Sequence, residues 1–178
     1  MTCFSAVGVQ FSAAEVVIVT AFGKILFVED DARDVELTLE ALRDNNLVNE
    51  VVVTRDGEQA LDYIYRRGSY ADRPEGNPAV ILLDLKMPKV DGVEVARQLR
   101  SDPRTRLIPI VILTSSRESR DLEECYRIGV NAYVVKPVHF ADFISAVRQV
   151  GVFWALLNEP PPSIQLDASG SARGSKAP

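Results

Sequence analysis

The chain has 178 residues, of which 47% are hydrophobic and 25% are charged, and its formal net charge is −5. This length predicts one domain with some residues left over, and the composition excludes a wholly disordered chain. The acidic balance, without a basic stripe, excludes nucleic-acid binding driven by a positively charged surface.

Residues 1–23 are expected to precede the folded domain as an extension. The stretch up to Ala21 holds one charged residue, Glu15, and lacks the basic segment that begins a secretory signal peptide. Its apolar run at residues 16–19 is far too short to cross a bilayer. Two interpretations stay open: a loosely ordered extension, or a true start farther downstream, near Val19.

From Lys24 onward, short apolar runs alternate with segments whose apolar residues recur at helical spacing. The predicted strands are residues 24–28, 51–54, 79–84, 108–114 and 132–136, and the predicted helices are residues 32–45, 58–67, 92–100, 119–128 and 140–157. Strict alternation predicts an α/β fold with a parallel sheet that is covered by helices on both faces. Right-handed crossovers leave a few doubly wound strand orders.

Glycine and proline residues mark the boundaries of this pattern. Gly68 and Gly129 are expected to follow the second and fourth helices as left-handed caps. Residues 69–78 predict a polar loop that is longer than usual for such a unit. We expect the domain to cover residues 24–158 and the Pro-, Ser- and Gly-rich residues 159–178 to form a disordered tail.

Polar side chains stand where the predicted strands end. They are Glu29 and Asp30 after the first strand, Asp84 at the third, Thr114 at the fourth and Lys136 at the fifth. The carboxyl ends of parallel strands meet at one edge of a sheet, where ligands bind. Crowded carboxylates repel one another, and a cation such as Mg²⁺ offsets the repulsion. These groups suit phosphoryl transfer to a carboxylate, with Asp84 as the best nucleophile.

Each of these residues also has a purely structural interpretation. The acidic run at residues 29–31 could be a helix N-cap cluster, and we expect Asp31 to be that cap. Thr114 could be a strand-end residue that is favoured by β propensity, and Tyr133 a plain core aromatic. His139 is expected to face solvent at a helix start and has no catalytic role.

The chain resembles bacterial response-regulator receiver domains over roughly residues 24–158. The motifs that carry the resemblance follow successive strands and occupy residues 28–30, 83–88 with 91–92, 113–115, and 133–137. Within the family, the chain resembles a single-domain subgroup that includes the cyanobacterial phytochrome response regulator. The long loop, residues 113–118 and the ending at residues 153–160 carry this closer likeness. One departure is His139, where many relatives have an acidic residue.

The resemblance implies a flavodoxin-like fold with strand order 2-1-3-4-5 and a role for each strand-end residue. Asp84 would be the phosphoacceptor and Lys136 would contact the phosphoryl group. Thr114 and Tyr133 would form the switch pair. The Lys136–Pro137 bond is expected to be cis. Such a protein is not an enzyme, beyond catalysing its own aspartyl phosphorylation and dephosphorylation.

The resemblance also implies one Mg²⁺ ion, with Asp84 as one of its ligands. Asp30 would bind the ion directly and Glu29 through water. The backbone carbonyl of Lys86 would be a further ligand, while the Lys86 side chain points elsewhere.

The implied partners are a sensor histidine kinase, either hybrid or phytochrome-like, and a histidine phosphotransfer protein.

The predicted last helix adds apolar Val150, Phe153 and Leu156 beside its core-facing stripe. A helix that is apolar nearly all round is buried or docked on a partner, so we expect a homodimer or a partner on the face of helix four, strand five and helix five. A tail that folds back over this patch is the alternative.

No nucleic-acid or membrane partner is expected. Two cysteines, Cys3 and Cys125, predict no disulfide framework, and this usage fits a cytoplasmic protein.

Two functions other than a phosphorylated signalling receiver share parts of this pattern. A metal-dependent phosphohydrolase of the haloacid-dehalogenase kind needs a second Asp two residues after the nucleophile, where this chain has Lys86. A receiver-fold interaction module that acts without phosphorylation is the alternative hypothesis. Such modules usually lose part of the acidic pocket or the lysine, which are all present here.

Overall fold

Parallel strands alternate with helices through the computed structural model, which describes residues 24–43, 51–154 and 158. The strands are β1 (Ile25–Val28), β2 (Val51–Thr54), β3 (Val80–Leu83), β4 (Ile110–Thr114) and β5 (Ala132–Val135). The helices are α1 (Ala32–Arg43), α2 (Gly57–Tyr65), α3 (Gly92–Ser101), α4 (Ser119–Ile128) and α5 (Phe140–Val152), with a 3₁₀ turn at Gly68–Tyr70.

The strands form one parallel sheet in the order β2-β1-β3-β4-β5, so the expected fold and strand order are confirmed. Every residue of β1 and β3 is buried, whereas β2 and β5 at the edges are mostly half-buried. Successive residues of a strand point to opposite faces. Leu26 and Val28 therefore join one core cluster with α2, α3 and α4, while Ile25 and Phe27 join another with α1 and α5.

Several predicted features lie outside the described residues. They are the extension at residues 1–23, the end of the first helix beyond residue 43, Leu156 and the tail at residues 159–178. Cys125, by contrast, is fully buried in the core, and this burial raises the pKa of its thiol to about 11. None of the helices in the described ranges has the length and apolar character that a bilayer span requires.

Helix α2 ends at Tyr65, before the predicted end at Arg67 that Gly68 would follow. Arg66, at φ 55° and ψ 55°, is the left-handed cap of the helix, and Gly68 also has a positive φ, of 54°. In the following loop, the Arg73 guanidinium donates to the carbonyls of Tyr63 (2.6 Å) and Ile64 (3.1 Å). The last carbonyls of a helix lack the usual intrahelical donors, and here Arg73 supplies donors alongside the cap N–H of Arg66. Gly129 caps α4 as predicted, at φ 97°.

Gly92 lets the start of α3 pack directly on the end of β3. Its backbone N–H donates to the carbonyl of Leu85 at 3.0 Å. A Cβ added at Gly92 would lie 2.0 Å from the carbonyl oxygen of Asp84. Only a residue without a side chain fits this contact, which fixes the backbone that carries Asp84.

We predict that Gly92→Ala lowers the free energy of unfolding by about 1–3 kcal/mol, because the methyl group forces backbone to move in a packed region. Urea denaturation measures the loss. Gln98→Ala, on the exposed side of the same helix, is the control and should change stability by no more than about 0.5 kcal/mol. Equal stabilities of Gly92→Ala and the wild type would contradict this packing argument.

Candidate functional site

The carboxyl edge of the sheet brings together the predicted charged residues of three strands. Sheet hydrogen bonding continues one residue past these strands: the N–H of Glu29 donates to Thr54 O (3.0 Å), that of Asp84 to Val28 O (3.1 Å), and that of Lys136 to Thr114 O (2.7 Å). Glu29 is fully buried, and Asp84 and Lys136 are 7% and 8% exposed. The sheet itself therefore fixes these three side chains at one buried edge.

Three carboxylates at this edge lie close enough to share a cation. Glu29, Asp30 and Asp84 each offer an oxygen within 4.8 Å of the others, and Asp30 is exposed to solvent. Mg²⁺ takes oxygen ligands at about 2.0–2.1 Å and keeps several of its waters. The all-oxygen donor set, open to solvent on one side, fits such an ion. Whether the Lys86 carbonyl takes part stays a prediction.

The ammonium group of Lys136 lies among these acids. Its ammonium Nζ lies 2.6 Å from Glu29 Oε2 and 2.7 Å from Asp34 Oδ2, but 3.7 Å from Asp84 Oδ2. Asp34 was not among the predicted site residues. An acid in the first turn of a helix is common because it interacts favourably with the helix dipole. Its only signal in the sequence is its position one turn after the strand-end acids.

The buried charges shift one another's protonation. Burial raises the pKa of Glu29 to about 7, although the hydrogen bond and charge of Lys136 oppose this rise. Burial would lower the pKa of Lys136, but its bonds to Asp34 and Glu29, with the charge of Asp84, raise it above the ordinary value. Lys136 therefore remains an ammonium ion and supplies a permanent positive charge at the site.

The Asp84 carboxylate is oriented by the start of the following loop. Its Oδ1 accepts a hydrogen bond from the N–H of Leu85 at 2.7 Å, and its Oδ2 lies on the side of Lys136. The Lys86 side chain points away from the acids, as expected, and pairs with Asp121 at 3.2 Å. Asp84 thus has one oxygen bound to the backbone, and its other oxygen faces the Lys136 ammonium.

Thr114 and Tyr133 are linked through Ser116. The buried Thr114 Oγ1 accepts from the N–H of Ser116 at 3.2 Å, and the half-buried Tyr133 hydroxyl donates to the Ser116 carbonyl at 3.2 Å. The Ser116 hydroxyl donates to Asp121 at 2.6 Å, so this loop is also tied to α4. The role of Thr114 and Tyr133 as a switch pair stays a prediction, but the structure connects them by two hydrogen bonds.

Asp31, the acid of residues 29–31 that lies outside the carboxylate cluster, caps a helix. Asp31 Oδ1 accepts from the N–H groups of Arg33 (2.7 Å) and Asp34 (3.2 Å), so the predicted cap is confirmed. His139 precedes α5, is exposed and makes no side-chain cap bond, as expected. Asp31 therefore fixes where α1 begins.

The expectation of a cis Lys136–Pro137 bond is wrong, since this peptide bond is trans. The trans form is intrinsically favoured before proline by about 0.5–1 kcal/mol. With the trans bond, the Lys136 ammonium still reaches Glu29 and Asp34.

The predicted partner face is described only in part. Phe153 is 48% exposed and packs edge-to-face on Trp154, with ring centroids 5.1 Å apart. Val150 is half-buried against the cluster of α1 and α5, which contains the buried Phe143 and Val147. Phe153 is therefore the exposed apolar residue that the described part of α5 offers to a partner, and Leu122 and Tyr126 are exposed on α4.

We predict that Lys136→Met lowers the free energy of unfolding by about 3–5 kcal/mol in EDTA, because it leaves buried carboxylates without their cation. The matched control is Arg127→Met, which removes an exposed pair with Glu123 and should cost about 0.3–0.5 kcal/mol. Urea denaturation of both variants gives the comparison. Similar losses in the two variants would show that the buried ammonium is not a structural centre.

Comparison with known proteins places this geometry in a family. The family model of the response regulator receiver domain matches residues 25–148. Response regulator Rcp1 of Synechocystis sp. is 35% identical over 130 residues, which are 73% of this chain and 87% of Rcp1.

Solved structures of similar proteins share the fold. The phosphorylated cyanobacterial phytochrome response regulator RcpA is 37% identical with a TM-score of 0.74, covering 80% of this chain and 100% of RcpA. The Mn²⁺-bound form of Rcp1 is 34% identical with a TM-score of 0.73, covering 79% of this chain and 99% of that one. The bacteriophytochrome response regulator RtBRR is 60% identical with a TM-score of 0.64, covering 79% and 85%. Together with the strand-end residues, these matches confirm the resemblance: the chain belongs to the response-regulator receiver domains of two-component signalling.

Proposed function

We propose that this receiver accepts a phosphoryl group on Asp84 from a sensor histidine kinase and switches its binding surface in response. The observation that carries the proposal is the position of the nearly buried Asp84 carboxylate, which belongs to the acidic cluster and lies 3.7 Å from the Lys136 ammonium. A nucleophile, oxygen ligands for a cation and a fixed positive charge meet at one point. Phosphoryl transfer needs little beyond such positioning and charge neutralisation.

In the proposed reaction, an oxygen of Asp84 attacks the phosphorus of a phosphohistidine. An O–P bond forms while the N–P bond breaks, and the imidazole nitrogen keeps the bonding electron pair and takes up a proton. Because Oδ1 accepts from the Leu85 N–H, Oδ2 is the oxygen better placed to attack. Lys136 would then bind an oxygen of the phosphoryl group.

Glu29, Asp30 and Asp84 would hold Mg²⁺, with the Lys86 carbonyl as a further ligand. The ion would neutralise charge on the phosphoryl oxygens during transfer. The cluster of three carboxylate oxygens supports this assignment, as does the solved Mn²⁺-bound form of Rcp1.

The switch would run from Thr114 to Tyr133 through Ser116. The oxygen of the Thr114 hydroxyl already accepts from Ser116, and its proton would be donated to the phosphoryl group. A shift of Thr114 would move Ser116, whose carbonyl binds the Tyr133 hydroxyl and whose own hydroxyl binds Asp121 on α4. The face of α4, β5 and α5 would change with it.

The relatives RcpA and RtBRR are named as phytochrome and bacteriophytochrome response regulators. We therefore propose a phytochrome-like histidine kinase as the phosphodonor, with a histidine phosphotransfer protein as a second exchange partner. The reaction takes place in the cytoplasm, and the protein catalyses only its own phosphorylation and dephosphorylation.

Acetyl phosphate with Mg²⁺ tests this function without a kinase. Intact-mass spectrometry should show a gain of one phosphoryl mass in the wild type and none in Asp84→Asn, because the variant lacks the nucleophilic carboxylate. Asp72→Asn, a change of an exposed loop acid, is the matched control and should be phosphorylated normally. EDTA should abolish the gain in the wild type and in Asp72→Asn. A folded wild type that takes up Mg²⁺ but no phosphoryl group would favour the interaction module instead.

We further propose that Val150, Phe153 and Leu156 form a dimer or partner face. Phe153→Glu should lower the sedimentation coefficient by shifting a dimer toward monomer, because a charge in an apolar contact loses hydration without a partner. Leu107→Glu is the matched control, since Leu107 is 47% exposed but lies in the loop between α3 and β4. Sedimentation velocity that is unchanged in Phe153→Glu would contradict a dimer through this face.

A further inference from the structure

We infer that Asp34 is a positioning residue that holds the Lys136 ammonium away from Asp84 until a phosphoryl group draws it across. The inference rests on the proposed phosphorylation of Asp84. It adds a residue of α1 to a site that is otherwise built from strand ends. It also gives Lys136 two alternative partners, one for each state of the protein.

The distances show which partners the ammonium prefers without a phosphoryl group. An ammonium has three donors, and here Glu29 and Asp34 accept at 2.6 Å and 2.7 Å. Asp84 Oδ2, at 3.7 Å, lies beyond the range of a direct hydrogen bond. Lys136 therefore stands beside the phosphoacceptor without bonding to it.

Asp34 is the contact that the ammonium would give up. Glu29 shares the acidic cluster with Asp84, so a lysine that turns toward a phosphoryl group on Asp84 can keep its bond to Glu29. Asp34 lies outside that cluster, in the first turn of α1. Its side chain is 30% exposed, against 1% for that of Glu29, so water can solvate Asp34 once the lysine leaves.

The helix start keeps Asp34 in place for this role. Its N–H donates to Asp31 Oδ1, the cap of α1, at 3.2 Å. Functional side chains on helices are positioned more precisely than those on loops. The site thus sets a fixed carboxylate against a group that carries a charge of about −1.5 to −2 once phosphorylated. Lys136 turns to the phosphoryl group only if its interaction with that group is stronger than its ion pair with Asp34.

Removal of the Asp34 carboxylate should therefore favour binding of a phosphoryl group or its mimic. With Mg²⁺ present, beryllofluoride, a phosphoryl mimic, should bind about fivefold more tightly to Asp34→Asn than to the wild type, as expected for removal of one partly exposed ion pair. The affinity is measured by ¹⁹F NMR of the bound fluorides. Asp34→Glu should restore the wild-type affinity, because a carboxylate is again available to the lysine. Glu36→Gln, an equal charge change at an exposed position of the same helix, should leave it unchanged.

A double-mutant cycle separates holding of the lysine from a general effect of charge. If Asp34 acts through Lys136, Asp34→Asn has no effect on beryllofluoride affinity in a Lys136→Met background. An equal gain in that background would overturn the inference, since the carboxylate would then act by simple repulsion of the anion. Should Lys136→Met fail to fold, the comparison of Asp34→Asn with Asp34→Glu still tests whether a carboxylate at this position sets the affinity. Equal affinities of these two variants would contradict the inference.

The same titration distinguishes this inference from the proposed function. A wild type that binds beryllofluoride, with Asp34→Asn matching it, would reject the role of Asp34 and leave phosphorylation standing. A wild type that binds Mg²⁺ but no beryllofluoride would reject both.

Discussion

One buried ammonium group unites the carboxyl edge of this sheet. Lys136, which follows β5, bonds Glu29 after β1 and Asp34 on α1, and stands 3.7 Å from Asp84 after β3. Without this cation, the acids would have to be solvated or protonated, and the edge could not stay closed around them. The charge that stabilises the unphosphorylated edge is also the charge that a phosphoryl group on Asp84 would need. In the proposed function, stability and signalling would therefore depend on the same side chain.

The rest of the architecture fixes the geometry around this charge. Fully buried β1 and β3 carry Glu29 and Asp84, and hydrogen bonds beyond the strand ends hold their backbones. Gly92 lets α3 press against the backbone of Asp84. The loop after β4 connects the site to α4 through Ser116, which binds Asp121. The Asp84 backbone is thus closely packed, and the rim of the site is linked to a helix, as the proposed switch would require.

The sequence alone predicts most of the fold, because apolar runs buried on both faces have few alternatives. It also predicts the strand-end residues, since parallel topology forces them to one edge. It does not predict Asp34, whose role depends on how α1 packs against the end of β5. Nor does it predict that Arg73, from the loop after α2, bonds the last carbonyls of that helix. Both depend on long side chains that cross between elements, which local patterns do not encode. The trans Lys136–Pro137 bond likewise differs from what family resemblance implied.

If Lys136 exchanges partners when Asp84 is phosphorylated, a crystal structure of the protein with Mg²⁺ and beryllofluoride will show the exchange. We expect Lys136 Nζ to lie within hydrogen-bond distance of a fluoride on Asp84 and to have left Asp34, while its bond to Glu29 remains. An ammonium that stays 2.7 Å from Asp34 Oδ2, with the fluorides bound by other groups, would show that no exchange occurs.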